Sequence, residues 1–185
     1  MKILALSGTN SCHSINQQLL IYLTKQIKQL SVDLIPYTTF NLPIYSIDME
    51  QFVGIPESIK FFAQQLRASD GLILSIPEHN GNVTAYFKNL IDWLSRTDQQ
   101  FLSHTKIFLL STSAQLVGGR QVLQIMNNCI HSFGGEITAQ LPLSDFQDAF
   151  ADGVILDPKI EMAVKTQLMQ FIQSLFDHNQ LMQAS

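Results

Sequence analysis

An open, five-stranded parallel α/β sheet with helices on both faces is the fold this sequence predicts, and three observations lead to it. Short apolar runs alternate with longer segments whose apolar residues recur at helical spacing. One run, 71–76, is apolar almost throughout, as a strand is when helices cover both faces of its sheet. The loops that follow three of these runs, 7–16, 77–82 and 111–119, have unusual composition, and open α/β sheets bind ligands outside the carboxyl ends of their strands.

Ile3, Leu4, Ala5 and Leu6 form the first strand, and Leu19, Leu20, Leu23, Ile27 and Leu30 mark the helix after it. A short second strand, 32–35, leads into an irregular stretch to Ile55 that contains Pro36, Pro43 and Gly54. Pro56 suits the first turn of the next helix, whose apolar face is Ile59, Phe62, Ala63 and Leu66. The third strand, 71–76, is followed by a helix over about 83–97 and a strand over 106–110. A fourth helix runs from near Gly119 to His131, where Gly134 and Gly135 end the pattern. The last strand is 136–141, and a C-terminal helix runs from Pro158 to about Asp177. Nothing resembles a linker or an internal repeat, so 1–185 is expected to be one domain.

Composition narrows the function classes. With 46% apolar and 14% charged residues, the chain is globular and its surface must be wetted largely by Gln, Asn, Ser and Thr. A net charge of −4 argues against nucleic acid as a partner and is mild for an acidic electron carrier. Cys12 and Cys129 lie far apart and read as free thiols of a reducing compartment. The apolar opening is too short for a signal-peptide core, and no run approaches a membrane span. A cytoplasmic protein with no membrane partner is expected.

The first loop, Ser7, Gly8, Thr9, Asn10, Ser11, Cys12, His13, Ser14, Ile15, Asn16, enters a helix directly after a strand. Free backbone N–H groups at the helix start and the helix dipole make such a place an anion site, and small hydroxyls add donors without bulk. A Walker loop would need a Gly-Lys pair, a dinucleotide fingerprint three glycines, and a cysteine phosphatase loop a thiolate at the strand end with an arginine opposite. None of these is present, so the loop is equipped to hold phosphate and not to hydrolyse it. Cys12 is read as polar-loop filler.

Pro77, Glu78, His79, Asn80, Gly81 and Asn82 break abruptly from the third strand. Such a turn exposes backbone N–H and C=O groups suited to the edge of a flat heterocycle; equally, it reads as a plain strand-to-helix turn capped by Asn82 or Thr84. The third loop, from Ser111 to Gly119, is small and permissive.

Taken together the three loops resemble the flavodoxin-like NAD(P)H-dependent FMN reductases, a family that includes quinone, azo and chromate reductases. Its first loop reads Gly-Ser-x-Arg-x-x-Ser-x-Asn, against Gly8, Thr9, Asn10, Ser11, Cys12, His13, Ser14, Ile15, Asn16 here. Its second reads Pro-Glu-Tyr-Asn-Gly-Ser and continues into Leu-Lys-Asn-x-x-Asp-Trp, matched by Pro77 to Asn82 and by Phe87, Lys88, Asn89, Leu90, Ile91, Asp92, Trp93. Its third has Ser-x-Ser and then Gly-Gly, matched by Ser111, Thr112, Ser113 and by Gly118, Gly119.

The resemblance implies a flavodoxin-like sheet in the order 2-1-3-4-5 and a bound FMN. Thr9, Ser11, Ser14, Ile15 and Asn16 would surround its phosphate. Pro77, Glu78, His79, Asn80 and Gly81 would border the flavin ring, with Ser111, Ser113 and Gly118 on another edge. NADPH or NADH is implied as co-substrate, a quinone, azo compound, free flavin or similar small molecule as acceptor, and a homodimer or homotetramer as the assembly. A non-enzymatic FMN shuttle serving protein partners is the alternative. No obligatory catalytic side chain and no metal are expected; His79 is the one candidate proton donor or substrate contact. Ser11 and His79 depart from the family's Arg and Tyr, the first removing a charge-assisted phosphate contact. Trp93 is expected in the core or a subunit interface, Met126, Met162 and Met169 in the core, and His104, His131, Asp145, Asp148 and Asp152 in solvated positions.

Overall fold

The computed structural model describes residues 1–36, 38–113, 119–144 and 146–184. Five parallel strands, β1 (Lys2–Ser7), β2 (Ser31–Leu34), β3 (Gly71–Ser75), β4 (Lys106–Thr112) and β5 (Glu136–Leu143), form one sheet in the order β2-β1-β3-β4-β5. The longer helices are α1 (Ile15–Gln26), α2 (Ile47–Val53), α3 (Glu57–Arg67), α4 (Ala85–Leu94), α5 (Arg120–Ser132) and α6 (Pro158–Ala184), and one further turn of helix spans Phe146–Ala149. This is the flavodoxin-like α/β architecture that the sequence predicts.

Period-two alternation sorts the strand side chains between two cores. Leu4 and Leu6 of β1 join Leu72 and Leu74 of β3 under α3, α4 and α5, with Ile59, Phe62, Leu90, Trp93, Val122 and Met126. Ile3, Ala5, Ile73, Phe108 and Leu110 point the other way, into Leu19, Leu20, Leu23, Val164, Leu168 and Phe171 of α1 and α6. The strand order reverses between β1 and β3, so the loops after them leave toward opposite layers and open a crevice at the carboxyl edge.

Several expectations need revision. The stretch before Ile55 contains α2, which starts at a Ser46 cap and stops at Gly54 with φ 72°. It buries no residue, so it has no apolar period for a sequence reading to detect. α4 begins at Ala85, not 83, because Asn82–Val83 pairs antiparallel with Glu78–His79. β5 continues to Leu143 and α6 to Ala184. Met126 is buried as expected, but Met162 and Met169 are 66% and 69% exposed. The core-facing stripe of α6 is Val164, Leu168, Phe171 and Leu175, which leaves those two methionines on its outer side. Trp93 is fully buried and donates its indole N–H to the Pro43 carbonyl at 2.9 Å. His104, His131 and Asp152 are exposed; Asp145 lies outside the described residues.

Candidate functional site

The loop after β1 is organised by its own hydroxyls. The Gly8 N–H donates to the Ser75 carbonyl at 2.8 Å, and the Gly8 carbonyl accepts the Thr84 hydroxyl at 2.7 Å, which ties the loop to β3 and to the start of α4. Thr9 Oγ1 accepts the Ser11 N–H at 3.1 Å, and Ser11 Oγ accepts the His13 N–H at 3.3 Å. Ser14 Oγ accepts from the Gln17 N–H and caps α1. A hydroxyl that accepts keeps its own proton to donate, so the loop combines three O–H groups with the N-terminus of a twelve-residue helix.

Asn16, one residue further into α1, plays a different part from the loop hydroxyls. It is 2% exposed, and its Nδ2 donates to the Thr112 carbonyl at 2.9 Å. Its Oδ1 accepts the Thr112 N–H at 3.0 Å and the Ser75 hydroxyl at 2.9 Å. One amide therefore ties α1 to the carboxyl ends of β3 and β4.

The loop after β3 is a miniature hairpin. Asn80 and Gly81 have φ of 53° and 72°, the positive pair that a two-residue hairpin turn demands and that Asn-Gly adopts at least cost. Thr84, one of the two caps weighed from sequence, accepts the Phe87 N–H at 3.0 Å and starts α4. Glu78 reaches across the crevice: its Oε2 accepts the N–H groups of Gln121 and Val122, both at 3.1 Å. A carboxylate thus occupies the positive end of α5 and anchors the hairpin there. Glu78→Ala should cost about 1–2 kcal/mol in urea unfolding, and Glu78→Gln roughly half of that because it keeps an acceptor. Amide exchange at Gln121 and Val122 should quicken in both.

Thr9, Ser11, Ser14, Ile15 and Asn16 meet Pro77, Glu78, His79, Asn80 and Gly81 around one cleft of about 580 Å³. That is within the size range of small-molecule sites. The third wall differs from expectation. Ser113 lines the cleft, but Ser111 does not: it is fully buried beneath the wall, against Gly119. Gly118 lies outside the described residues. The side chain that faces the cleft from β4 is Thr112, because alternation along a strand turns 111 and 112 to opposite faces. Thr112 is 2% exposed, and its buried Oγ1 has no hydrogen-bond partner in the structure, a status it shares with Ser7 Oγ, Gln17 Oε1 and Ser111 Oγ. Thr112 and His13, which also lines the cleft, are the residues that the sequence reading missed. Inward alternation along β4 was the available signal for Thr112.

No Lys or Arg is among the described residues of this wall; its ionisable members are His13, Glu78 and His79. A second hollow of about 460 Å³ adjoins the same loop through Asn10 and is walled by Thr38, Phe40, Asn41, Leu42, Ile44 and Tyr86, whose pKa burial pushes up. Among the described residues no cluster of three His, Cys, Asp or Glu is arranged to hold a metal, and no helix is long and apolar enough to cross a membrane. A donor-rich loop at a helix start and a hairpin that presents backbone together suit a ligand with one phosphate and a flat polar ring.

The family model described as NADPH-dependent FMN reductase matches residues 1–147. Over 79 residues the chain is 35% identical to a quinone reductase of Escherichia coli strain K12; that stretch covers 43% of this chain and only 42% of that protein. It is 29% identical over 177 residues to an NAD(P)H-dependent FMN reductase of Pseudomonas aeruginosa, covering 91% of each chain. In fold it is similar to FerB, a flavoenzyme NAD(P)H:(acceptor) oxidoreductase from Paracoccus denitrificans, with a TM-score of 0.79 and 23% identity over 96% of this chain and 98% of that one.

Proposed function

The chain belongs to the NADPH-dependent FMN reductase family, and from that premise we propose that it binds one FMN in the three-loop cleft as a single domain. Its activity on this reading is transfer of hydride from NADPH or NADH to a small acceptor such as a quinone, an azo compound or free flavin. The observation that carries the reading is the cleft at the reversal of strand order, with a helix-start hydroxyl loop on one side and Thr112 on the other. Thr9, Ser11 and Ser14 hold the phosphate with the α1 N-terminus, and Asn16 braces them from below. Residues 77–81 border the ring through backbone groups, with Thr112 and Ser113 opposite. FMN, when bound, supplies a ring that takes hydride from a nicotinamide and passes it to an acceptor. The protein's share is to orient that ring, to exclude water, and to stabilise added negative charge with backbone N–H groups. His79, exposed at the hairpin turn, is placed to contact an acceptor or to hold a proton.

A flavin-fluorescence titration tests the reading. Quenching should saturate at one FMN per chain, FAD should not substitute, and anaerobic NADH or NADPH should bleach the flavin absorbance until a quinone restores it. No quenching at micromolar FMN would overturn the proposal. Flavin that is reduced only by a partner protein would favour the shuttle.

Ser11→Arg should tighten FMN by about 3–10-fold and leave riboflavin unchanged, since a charge-assisted bond is added at a partly solvated site. Equal tightening for riboflavin would show that residue 11 faces away from the phosphate.

A homodimer or homotetramer in the cytoplasm belongs to the proposal. The apolar residues of α4 turn into the chain's own core, so that helix is no argument for assembly. Support comes instead from Ile44, Ile47, Phe52, Val53 and Phe61, all exposed by half or more. Light scattering that reports a 20.8 kDa particle would rule assembly out.

A further inference from the structure

We infer that His13 is the countercharge of the phosphate loop, so that recognition of the FMN phosphate is switched by pH; the inference rests on the FMN reading above. Hydroxyls and the α1 N-terminus seat a phosphate dianion, and a cation beside it adds a charge-assisted bond. Position 11 of this loop is Ser, and no Lys or Arg lines the cleft among the described residues. Seven of the eleven Lys and Arg sit in ion pairs outside the cleft. Arg120, at the start of α5, lines a separate hollow with Gln140 and Pro142.

His13 is on the phosphate loop itself, one residue before the cap of α1, and lines the cleft beside Ser11 and Ser14. Its backbone N–H donates to Ser11 Oγ, which fixes where the ring starts. The first turn of α1 carries no acid to compete for an imidazolium. The other ionisable groups of the wall are His79 and Glu78 across the cleft, with Cys12 beside His13 on the loop. The Glu78 carboxylate is engaged by the α5 N–H groups.

The sign follows from linkage. Histidine is the side chain that ordinarily changes charge between pH 5 and 8, and phosphate bound beside it favours the protonated form. Binding of FMN takes up a proton in that window, so affinity falls as pH rises. Riboflavin has no phosphate and reports the pH response of the ring site, while His13→Gln reports the phosphate's own second ionisation, which at about 6 is largely complete by pH 6.5.

Calorimetry with FMN and riboflavin near pH 6.5 and near pH 8.5 tests this on the wild type, His13→Gln, His13→Arg and His79→Gln. The ratio of FMN to riboflavin affinity should fall by about 3–10-fold across that range in the wild type and in His79→Gln. It should be low and flat in His13→Gln, and high and flat in His13→Arg. A flat wild-type ratio, a slope that survives in His13→Gln, or a slope lost only in His79→Gln would overturn the assignment. FMN that binds at no pH would overturn the functional reading instead, and this assignment with it.

Discussion

Asn16→Ala should lower stability by about 3–5 kcal/mol, among the largest effects available to a single substitution in this chain. The side chain it removes is buried and makes three hydrogen bonds, two to the backbone of Thr112 and one from the Ser75 hydroxyl. Truncation leaves the N–H and C=O of Thr112 buried without partners, each worth about 1–3 kcal/mol in lost solvation, and relaxation offsets part of the sum. Asn16→Asp should restore little, since a carboxylate oxygen would then face the Thr112 carbonyl. Ser75→Ala removes one of the three bonds and should cost about 1 kcal/mol. Urea unfolding with an unchanged slope would report these values. The same variants should weaken FMN binding, because the brace sets the distance between the phosphate loop and the Thr112 wall. A cost below about 1 kcal/mol for Asn16→Ala would show that the strand ends are held together by something else.

Gly119→Ala should cost about 3 kcal/mol, by two separable mechanisms. Gly119 has φ 70°, a left-handed conformation that strains any residue with a Cβ. A Cβ there would also lie 2.6 Å from Ser111 Cβ, and Ser111 is fully buried within β4 and unable to retreat. Ser111→Gly in the Gly119→Ala background removes the collision and leaves the backbone strain, so more than half of the loss should return. A double-mutant cycle read by urea unfolding measures that coupling. Additive losses in the cycle would mean that the two residues do not press on each other.

Much of this molecule was legible before its structure was known. The strands announced themselves through apolar runs and the longer amphipathic helices through spacing, because each of those signals is local to a single element; Asn80-Gly81 was legible as a turn, not as a hairpin. The cleft was legible as loops for the same reason: loop composition changes where the chain leaves a strand. Helix α2 was not, since seven residues with no fully buried side chain, Met49 alone resting against the core, leave no periodic trace. Nor were the outer faces of Met162 and Met169, because which side of α6 meets the sheet is decided by the sheet.

Alternation of strands and helices carried the fold class, and the resemblance of three motifs in register carried the strand order. What those motifs did not determine is how the site is held together. Glu78 borders the cleft as expected, but its carboxylate spends itself 43 residues away on the start of α5. Asn16 belongs to the phosphate motif, yet its amide is committed to partners 59 and 96 residues distant. Thr112 faces the cleft while Ser111 is buried beneath it, a choice made by the side of β4 that the neighbouring elements cover. Residue type and spacing determine what a side chain is able to bond; only the packing of distant elements decides which partner arrives within hydrogen-bonding reach.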